Sequence, residues 1–385
     1  MKRLAMVLAV ALALVGCSKK EEPPRDDYVC EPVRIAAAYI AMMEKPDAAR
    51  TLLIGEGAKA MMPYFTHAGT KCHTVLDGKF DLIVTDCRRM SKSSCAALRG
   101  LLAPKGVVAW FMDVRGVSLD ELHARMSDFE LYDVHLWMPG QDRWLLVGCN
   151  APRQLKLSAM LELFTREQAF DDLARAKCGT IPEMFANYVG AARDFAPAFG
   201  QKNGAGMVRP EHFLTKEIPV VDWISPDGVD ADIANGIWAD MRSMQVVRRL
   251  AVQGAMLTEA SHDKVATTNA VDMLARAAKR NPNDLFIVER MDRLERNARG
   301  FLKMGKILHA MKCFETMVLI RPDDAAAVHN FGMCLKKIGK TKLADEILQR
   351  AETLAGNPPP APAPKKQDAL PSGSRYAKPV PSPAK

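Results

Sequence analysis

The sequence predicts an α/β region followed by an all-α region, and three observations predict it. Thr51-Leu-Leu-Ile-Gly-Glu-Gly57 and Phe80-Asp-Leu-Ile-Val-Thr-Asp86 are short apolar runs ending in a Gly-x-Gly turn and in an acid. Both read as buried parallel strands with polar groups at their C-terminal ends, where open α/β sheets place ligands. Only residues 58–79 separate them, whereas a complete nucleotide-binding half needs a helix, a strand, a helix and a further strand there, roughly 50 residues. The sheet is therefore expected to be truncated on that side. Beyond residue 233 the strand pattern stops and apolar residues recur at helical spacing, with pairs 34 residues apart.

The first element is a leader. Met1-Lys-Arg precedes an apolar core from Leu4 to Val15, too short to span a bilayer as a mature helix. It ends in Leu14-Val-Gly-Cys17, which resembles the lipobox of bacterial lipoproteins, in which the Cys becomes the lipidated first residue; the alternative is an ordinary secretory signal with a chance cysteine. The resemblance implies anchoring through Cys17. Ser18, in place of Asp after the Cys, implies the outer membrane, facing the periplasm. Residues 18–27 are charged and Pro-containing and read as a tether.

The formal net charge is +8. Lys2 and Arg3 account for two of these charges and the segment after Gly356 for a net four, which leaves +2 for the body. A nearly neutral body lacks the basic face that nucleic-acid binding requires. Eight cysteines remain after Cys17, with no Cys-x-x-Cys among them and no disulfide framework. Cys72-His73 with Cys87 and Cys95 does not have the spacing of a zinc knuckle, and small buried hydrophobes are the better reading.

Residues 28–151 form the first folded region. Glu31 to Glu44 carries apolar residues at helical spacing. A strand at 51–55 is followed by a helix from Lys59 to His67, a short strand within 71–76 and the strand at 80–86. Ser91 to Leu102 reads as a crossover helix, Pro104-Lys-Gly106 as a turn and Val107 to Val114 as a strand. Ser118 with Glu121 is a capping box for a helix at 119–127. Phe129 to Met138 and Arg143 to Cys149 pattern as an antiparallel hairpin.

In this order the segments resemble the second half of a class I methyltransferase fold, a Rossmann-like sheet. More narrowly they are similar to the spermidine-synthase-like aminopropyltransferases. Thr51 to Gly57 resembles that family's glycine motif, Cys72 to Leu76 lies where it has an Asp-Ala-Arg segment, and Phe80 to Asp86 resembles the strand ending in its acid. Leu101 to Val107 resembles its Leu-x-Pro-x-Gly-Val approach to the next strand, and Phe213 to Asp222 its Thr-Asp-Asp-x-Pro stretch. The resemblance implies Gly55 and Gly57 as cofactor-loop residues, Asp86 as the acid, and an S-adenosylmethionine-type cofactor if the chain is an enzyme. The departures point the other way. Lys59 stands where a further Gly is usual, the ribose-binding acid has no counterpart because its strand is missing, and Asp86 continues into Cys87-Arg-Arg89, which would repel a polyamine. Asp86 reads equally as a strand-end cap. The expectation is a non-catalytic domain without a cofactor; the alternative is an aminopropyl- or methyltransferase. There is no Gly-x-Ser-x-Gly elbow and no His-Glu-x-x-His.

Residues 152–232 read as a helical connector, with helices over Lys156 to Lys177, in which the periodicity has breaks, and over Ile181 to Ala196. Trp223 and Trp238 read as packing residues.

In residues 233–356, Gly305 and Gly339, Ala310 and Ala344, Phe314 and Leu348, and Leu294 and Val328 are each 34 apart, and Pro322 closes the unit. This resembles tetratricopeptide repeats; the alternative is a plain helical bundle. Ile233 to Thr258 would supply the first helix, Ala270 to Pro282 lies in the second, and Leu285 to Met304 is expected to be longer than standard. The resemblance implies a protein or peptide partner, with Arg299, Lys303, His329 and Lys336 as candidates for the binding face. Residues 357–385 are Pro-rich and read as a disordered tail.

Overall fold

The computed structural model describes residues 29–88, 90–129, 131–152, 155–176, 178–191, 223–260 and 264–356. Cys17, the tether, Arg89, Phe213 to Asp222 and the Pro-rich segment lie outside the described residues. The chain divides into two compact units, with the division at Gln245.

The first unit is a mixed α/β sheet. Its elements are α1 (Glu31–Met43), β1 (Arg50–Ile54), α2 (Glu56–Lys59), α3 (Met62–His67), β2 (Lys71–His73), β3 (Phe80–Thr85), α4 (Lys92–Leu101), β4 (Leu102–Asp113) and α5 (Leu119–Phe129). There follow β5 (Tyr132–Trp137), β6 (Arg143–Cys149), β7 (Leu155–Lys156), α6 (Leu157–Thr165), α7 (Glu167–Ala176), α8 (Ile181–Phe185), β8 (Tyr188–Ala191) and β9 (Ile224–Ser225). Seven strands make one sheet in the order β2-β1-β3-β4-β6-β5-β8, while β7 and β9 pair separately. β2, β1, β3 and β4 run parallel, and β6, β5 and β8 continue antiparallel.

The structure refines the sequence reading in four places. The short strand expected within 71–76 is Lys71–His73, and it pairs with Arg50–Leu52, so the truncation is of what would lie beyond it. The single helix expected at Lys59 to His67 is two short helices, broken at Ala60-Met61 ahead of Pro63. The helices expected with breaks from Lys156 onward are α6 and α7, parted at Arg166, and Lys156 itself lies in the two-residue strand β7. Ile181 to Ala196 is not one helix either. Thr180 and Glu183 form a capping box that starts α8, but the chain leaves helical geometry after Ala186 and Tyr188–Ala191 adds a seventh strand against β5. The turn expected at Pro104-Lys-Gly106 survives as a bulge inside β4. Leu102 pairs with Phe80 and Val107 with Leu82, and Lys105, with φ of 58°, sits in the excluded loop.

Two buried carboxylates tie helices and strands of this unit together. Asp172 on α7 accepts from the Tyr39 hydroxyl of α1 at 2.9 Å, contacts His67 Nδ1 at the end of α3 at 2.9 Å, and pairs with Arg175. Glu44, just past α1, accepts from Trp137 Nε1 at 2.7 Å and faces His135 Nδ1 at 3.4 Å. Trp223 packs against His135 with ring centroids 4.4 Å apart and meets Tyr188 at 5.8 Å, the packing role its sequence position suggested.

The second unit is all helical. Helix α9 (Ala231–Ala260) spans the division and is followed by α10 (Lys264–Arg280), α11 (Leu285–Lys303), α12 (Ile307–Ile320), α13 (Ala325–Lys337) and α14 (Thr341–Gly356). Helix α11 has 19 residues against 13 in α13, the longer element the sequence implied. The 34-residue offset is physical. Gly305 and Gly339 adopt φ of 70° and 82°, and each end repeats the same pair of bonds: Lys306 N–H to Phe301 O and Gly305 N–H to Leu302 O, then Lys340 N–H to Leu335 O and Gly339 N–H to Lys336 O. These are two Schellman caps, which need a left-handed residue at that position. Asp284 and Asp324 cap the starts of α11 and α13. Ala310 and Ala344 are fully buried, as are Phe314 and Val328 to within 1%. At Gly332 a Cβ would lie 2.9 Å from Leu348 Cγ, so the absent side chain is what lets α13 and α14 approach.

Candidate functional site at the carboxyl edge of the sheet

The parallel strands β1, β3 and β4 end on one edge, and their last residues turn polar. After β1, Gly55 takes φ of 95° and begins the turn into α2. After β3, Asp86 places its carboxylate on that turn: Gly57 N–H donates to Asp86 Oδ2 at 2.6 Å. A Cβ on either Gly55 or Gly57 would overlap the Asp86 carboxylate. The glycines are thus required by a side chain of this same protein. The amide that a glycine loop would offer to a ligand is already spent.

β4 ends in a second acid that the sequence reading did not single out. Asp113 accepts from Arg115 N–H at 2.9 Å and Arg115 Nε at 3.0 Å, and Arg143, at the start of β6, reaches its Oδ2 at 3.4 Å. The signal was present: the apolar run from Val107 ends in an acid just as the run from Phe80 does.

The two acids are driven apart electrostatically. Burial pushes the Asp86 carboxyl up, and the amides of Gly57, Asp86 and Ala58 and the charge of Arg143 hold it back only in part. Burial acts on Asp113 in the same sense, but hydrogen bonds from the Arg115 side chain and backbone, with the charges of Arg143 and Arg115, outweigh it and bring the net shift down. The two strand-end carboxyls thus sit in opposed settings, one shifted up by burial and the other shifted down by its arginines.

Cys72 is half-buried with its thiol pushed up by burial, and Cys95 is buried. Among the described residues no group of three or more His, Cys, Asp or Glu is placed to hold a metal ion, and no helix is long and apolar enough to cross a membrane.

The partner-face candidates lie in the second unit. Arg299 and Lys303 are exposed on α11, and His329 and Lys336 are exposed on α13. Arg299 pairs with Glu295 one turn earlier. Lys303 and Lys336 stand in the last turns of their helices, where a cation also favours the helix dipole. The sequence reading passed over Met333, 40% exposed on α13, which occupies the position equivalent to Arg299.

No family model matches the chain, and no curated protein matches it. Among solved structures it is similar to a methyltransferase from Pyrococcus furiosus, at 15% identity and a TM-score of 0.24, over 39% of this chain and 98% of that one. A likeness of that degree carries no argument about fold or activity.

Proposed function

We propose that the protein is a lipid-anchored envelope protein that binds a protein or peptide partner through its C-terminal helices, and that its α/β unit is a non-catalytic support. The observation that carries the second half is the Asp86 carboxylate seated on the Gly55–Gly57 turn with its 2.6 Å bond from Gly57. A cofactor using that turn would have to displace a buried side chain and take over its hydrogen bond. The first half rests on Leu14 to Cys17 for the anchor and on the caps and small buried residues that recur along α11 to α14. It rests also on the exposed Arg299, Lys303, His329 and Lys336.

Two measurements on the full chain test it. Cys17→Ala should release the protein from the membrane fraction; unchanged fractionation and mass would remove the anchor. Calorimetry with S-adenosylmethionine and its decarboxylated form should give no heat of binding. The placement of Asp86 and Asp113 at the ends of the neighbouring strands β3 and β4 favours a second reading, a transferase acting at the carboxyl edge, and micromolar binding of either compound would establish that reading instead.

A further inference from the structure

Beside the Asp86 turn, on the α5 face of the sheet, lies a cation with donors to spare. Arg125 on α5 is nine-tenths buried, with 9% of its side chain exposed. A guanidinium cannot shed its proton to suit an apolar setting, so burial obliges it to find acceptors. Only one of its nitrogens has one. Nη2 donates to Glu121 Oε1, one turn back, at 2.6 Å. Nε and Nη1 are buried and have no hydrogen-bond partner among the described residues. Glu121 is itself 34% exposed, so it neutralises the charge only in part.

The group's surroundings fix where it lies. The guanidinium sits 5.7 Å from the centre of the Trp110 ring, which gives it one flat wall. Trp110 in β4 is paired with Thr85, the last residue of β3. Its indole N–H donates to Cys87 O at 2.6 Å, so the ring and the cation above it adjoin the segment Asp86-Cys87-Arg88 that leaves the sheet at its carboxyl edge. On a helix, side chains lean toward the N-terminus, and the bond to Glu121 confirms that the Arg125 side chain runs toward that edge. Arg88 adds positive charge to the same segment. In open α/β sheets ligands bind outside the carboxyl ends of the strands.

We propose that Arg125 is the anchor of an oxyanion-binding site on the α5 side of the carboxyl edge, taking the carboxylate or phosphoryl group of a small ligand. An oxyanion is the chemistry that fits. It is acceptor-only, and its charge completes the neutralisation that Glu121 leaves partial. Arg supplies planar donors suited to carboxylate and phosphate alike. The site is separate from the glycine turn and does not depend on sulfonium chemistry, so it goes beyond the reading given above and survives its failure.

The test is thermal unfolding and calorimetry of the full mature chain in inorganic phosphate and in acetate, against chloride at matched ionic strength. Phosphate, acetate or both should raise the unfolding midpoint in a dose-dependent way, and Arg125→Met should abolish the rise; which anion acts separates a phosphoryl from a carboxylate ligand. Glu121→Gln removes the competing carboxylate and should tighten the apparent Kd by about threefold or more. A rise that persists undiminished in Arg125→Met, or no response to either anion, overturns the proposal. If Arg125→Met fails to fold, Glu121→Gln decides alone, and an unchanged affinity in that variant also overturns it.

Discussion

The two units solve the same problem, how to hold secondary structure together, with opposite means. The α/β unit uses single buried polar groups with partners far away in sequence: Asp172 meets Tyr39 and His67 across 133 and 105 residues, and Asp86 meets Gly57 across 29. The helical unit has one buried long-range pair of its own, Arg248 with Asp284 at 3.0 Å, but relies mainly on repetition. Its turns, caps and small buried residues recur at one offset, and pairs such as Arg299–Glu295 and Arg296–Asp292 are local i,i+4 contacts on helix surfaces. Long-range polar contacts fix one arrangement of unlike elements, and losing one partner strands the others. Repeated apolar contacts spread the same task over many near-equivalent sites.

The sharpest way to break that contrast is to delete one carboxylate. Asp172→Ala leaves the buried Tyr39 hydroxyl, whose own acidity is suppressed first by burial and then by the Asp172 charge, without its acceptor. His67 and Arg175 are partly exposed and can turn to water, so the loss is set mainly by the stranded hydroxyl, about 3 kcal/mol at the upper end of such penalties. Chemical denaturation measures it. Tyr39→Phe added to Asp172→Ala should cost less than it does alone, because the hydroxyl no longer needs a partner. Simple additivity of the two would show that the cluster is not a unit.

In the helical unit the matching change is overpacking. Ala310 on α12 has no exposed surface, and Ala310→Leu should cost about 2 kcal/mol, within the usual range for oversized core residues. Ala344→Leu, on the terminal helix α14, should cost less, because Leu348 and Ile347 around it are only half-buried. Equal losses at the two positions would mean that α14 is as tightly enclosed as α12.

How much of this was legible in the sequence follows the same division. The helical unit was readable because its signals are local and repeated: Gly305 and Gly339 mark two identical caps, and Ala310 and Ala344 two close approaches. In the α/β unit the apolar runs of β1, β3 and β4 and the Ser118 cap stood out; Glu121 N–H does donate to Ser118 Oγ at 3.1 Å. β2 was legible only as a short strand within 71–76, and its partner was not, because three residues of pattern exposed-intermediate-intermediate carry no period. β8 was absorbed into a helix because Tyr188-Val-Gly-Ala191 is apolar without alternation, and only its pairing with β5 makes it a strand. Asp172 reads as a solvent residue on an amphipathic helix, and its burial depends on α1 and α3, more than a hundred residues away. Of the site, Asp86, Gly55 and Gly57 were found, but their mutual contact, which turns a cofactor motif into an internal cap, is a fact of three dimensions.

A pH series sharpens the comparison within the α/β unit. Asp113 has its folded pKa depressed, so its contribution is present above the ordinary carboxylate value and lost as pH falls through the depressed one. Asp86 has its folded pKa raised, so it favours folding at low pH and loses that contribution as pH rises through the raised value. Asp113→Asn should therefore destabilise at neutral pH and converge on the parent in acid. Asp86→Asn, which keeps an oxygen to accept from Gly57, should lose ground to the parent as pH is lowered toward the ordinary Asp range. Parallel pH profiles for the two variants would mean that the electrostatic difference between the strand ends is absent.

The smallest expected effect on stability is the one that matters most for function. Lys303 and Lys336 are exposed at the ends of α11 and α13, so Lys303→Glu with Lys336→Glu removes no packing. Each change places a negative charge at a helix C-terminus and should cost a few tenths of a kcal/mol, about 1 kcal/mol or less for the pair. If the exposed face of the first helices binds the partner, crosslinking and pull-down of the full mature chain from envelopes should recover much less of it with the double variant, at an almost unchanged unfolding midpoint. Ala310→Leu would weaken the same partner only in proportion to the fraction unfolded. Full recovery of every partner by the double variant would move the binding surface off α11 and α13. Substitutions on the α/β unit that then abolished recovery would make that unit the functional one and the helices its support.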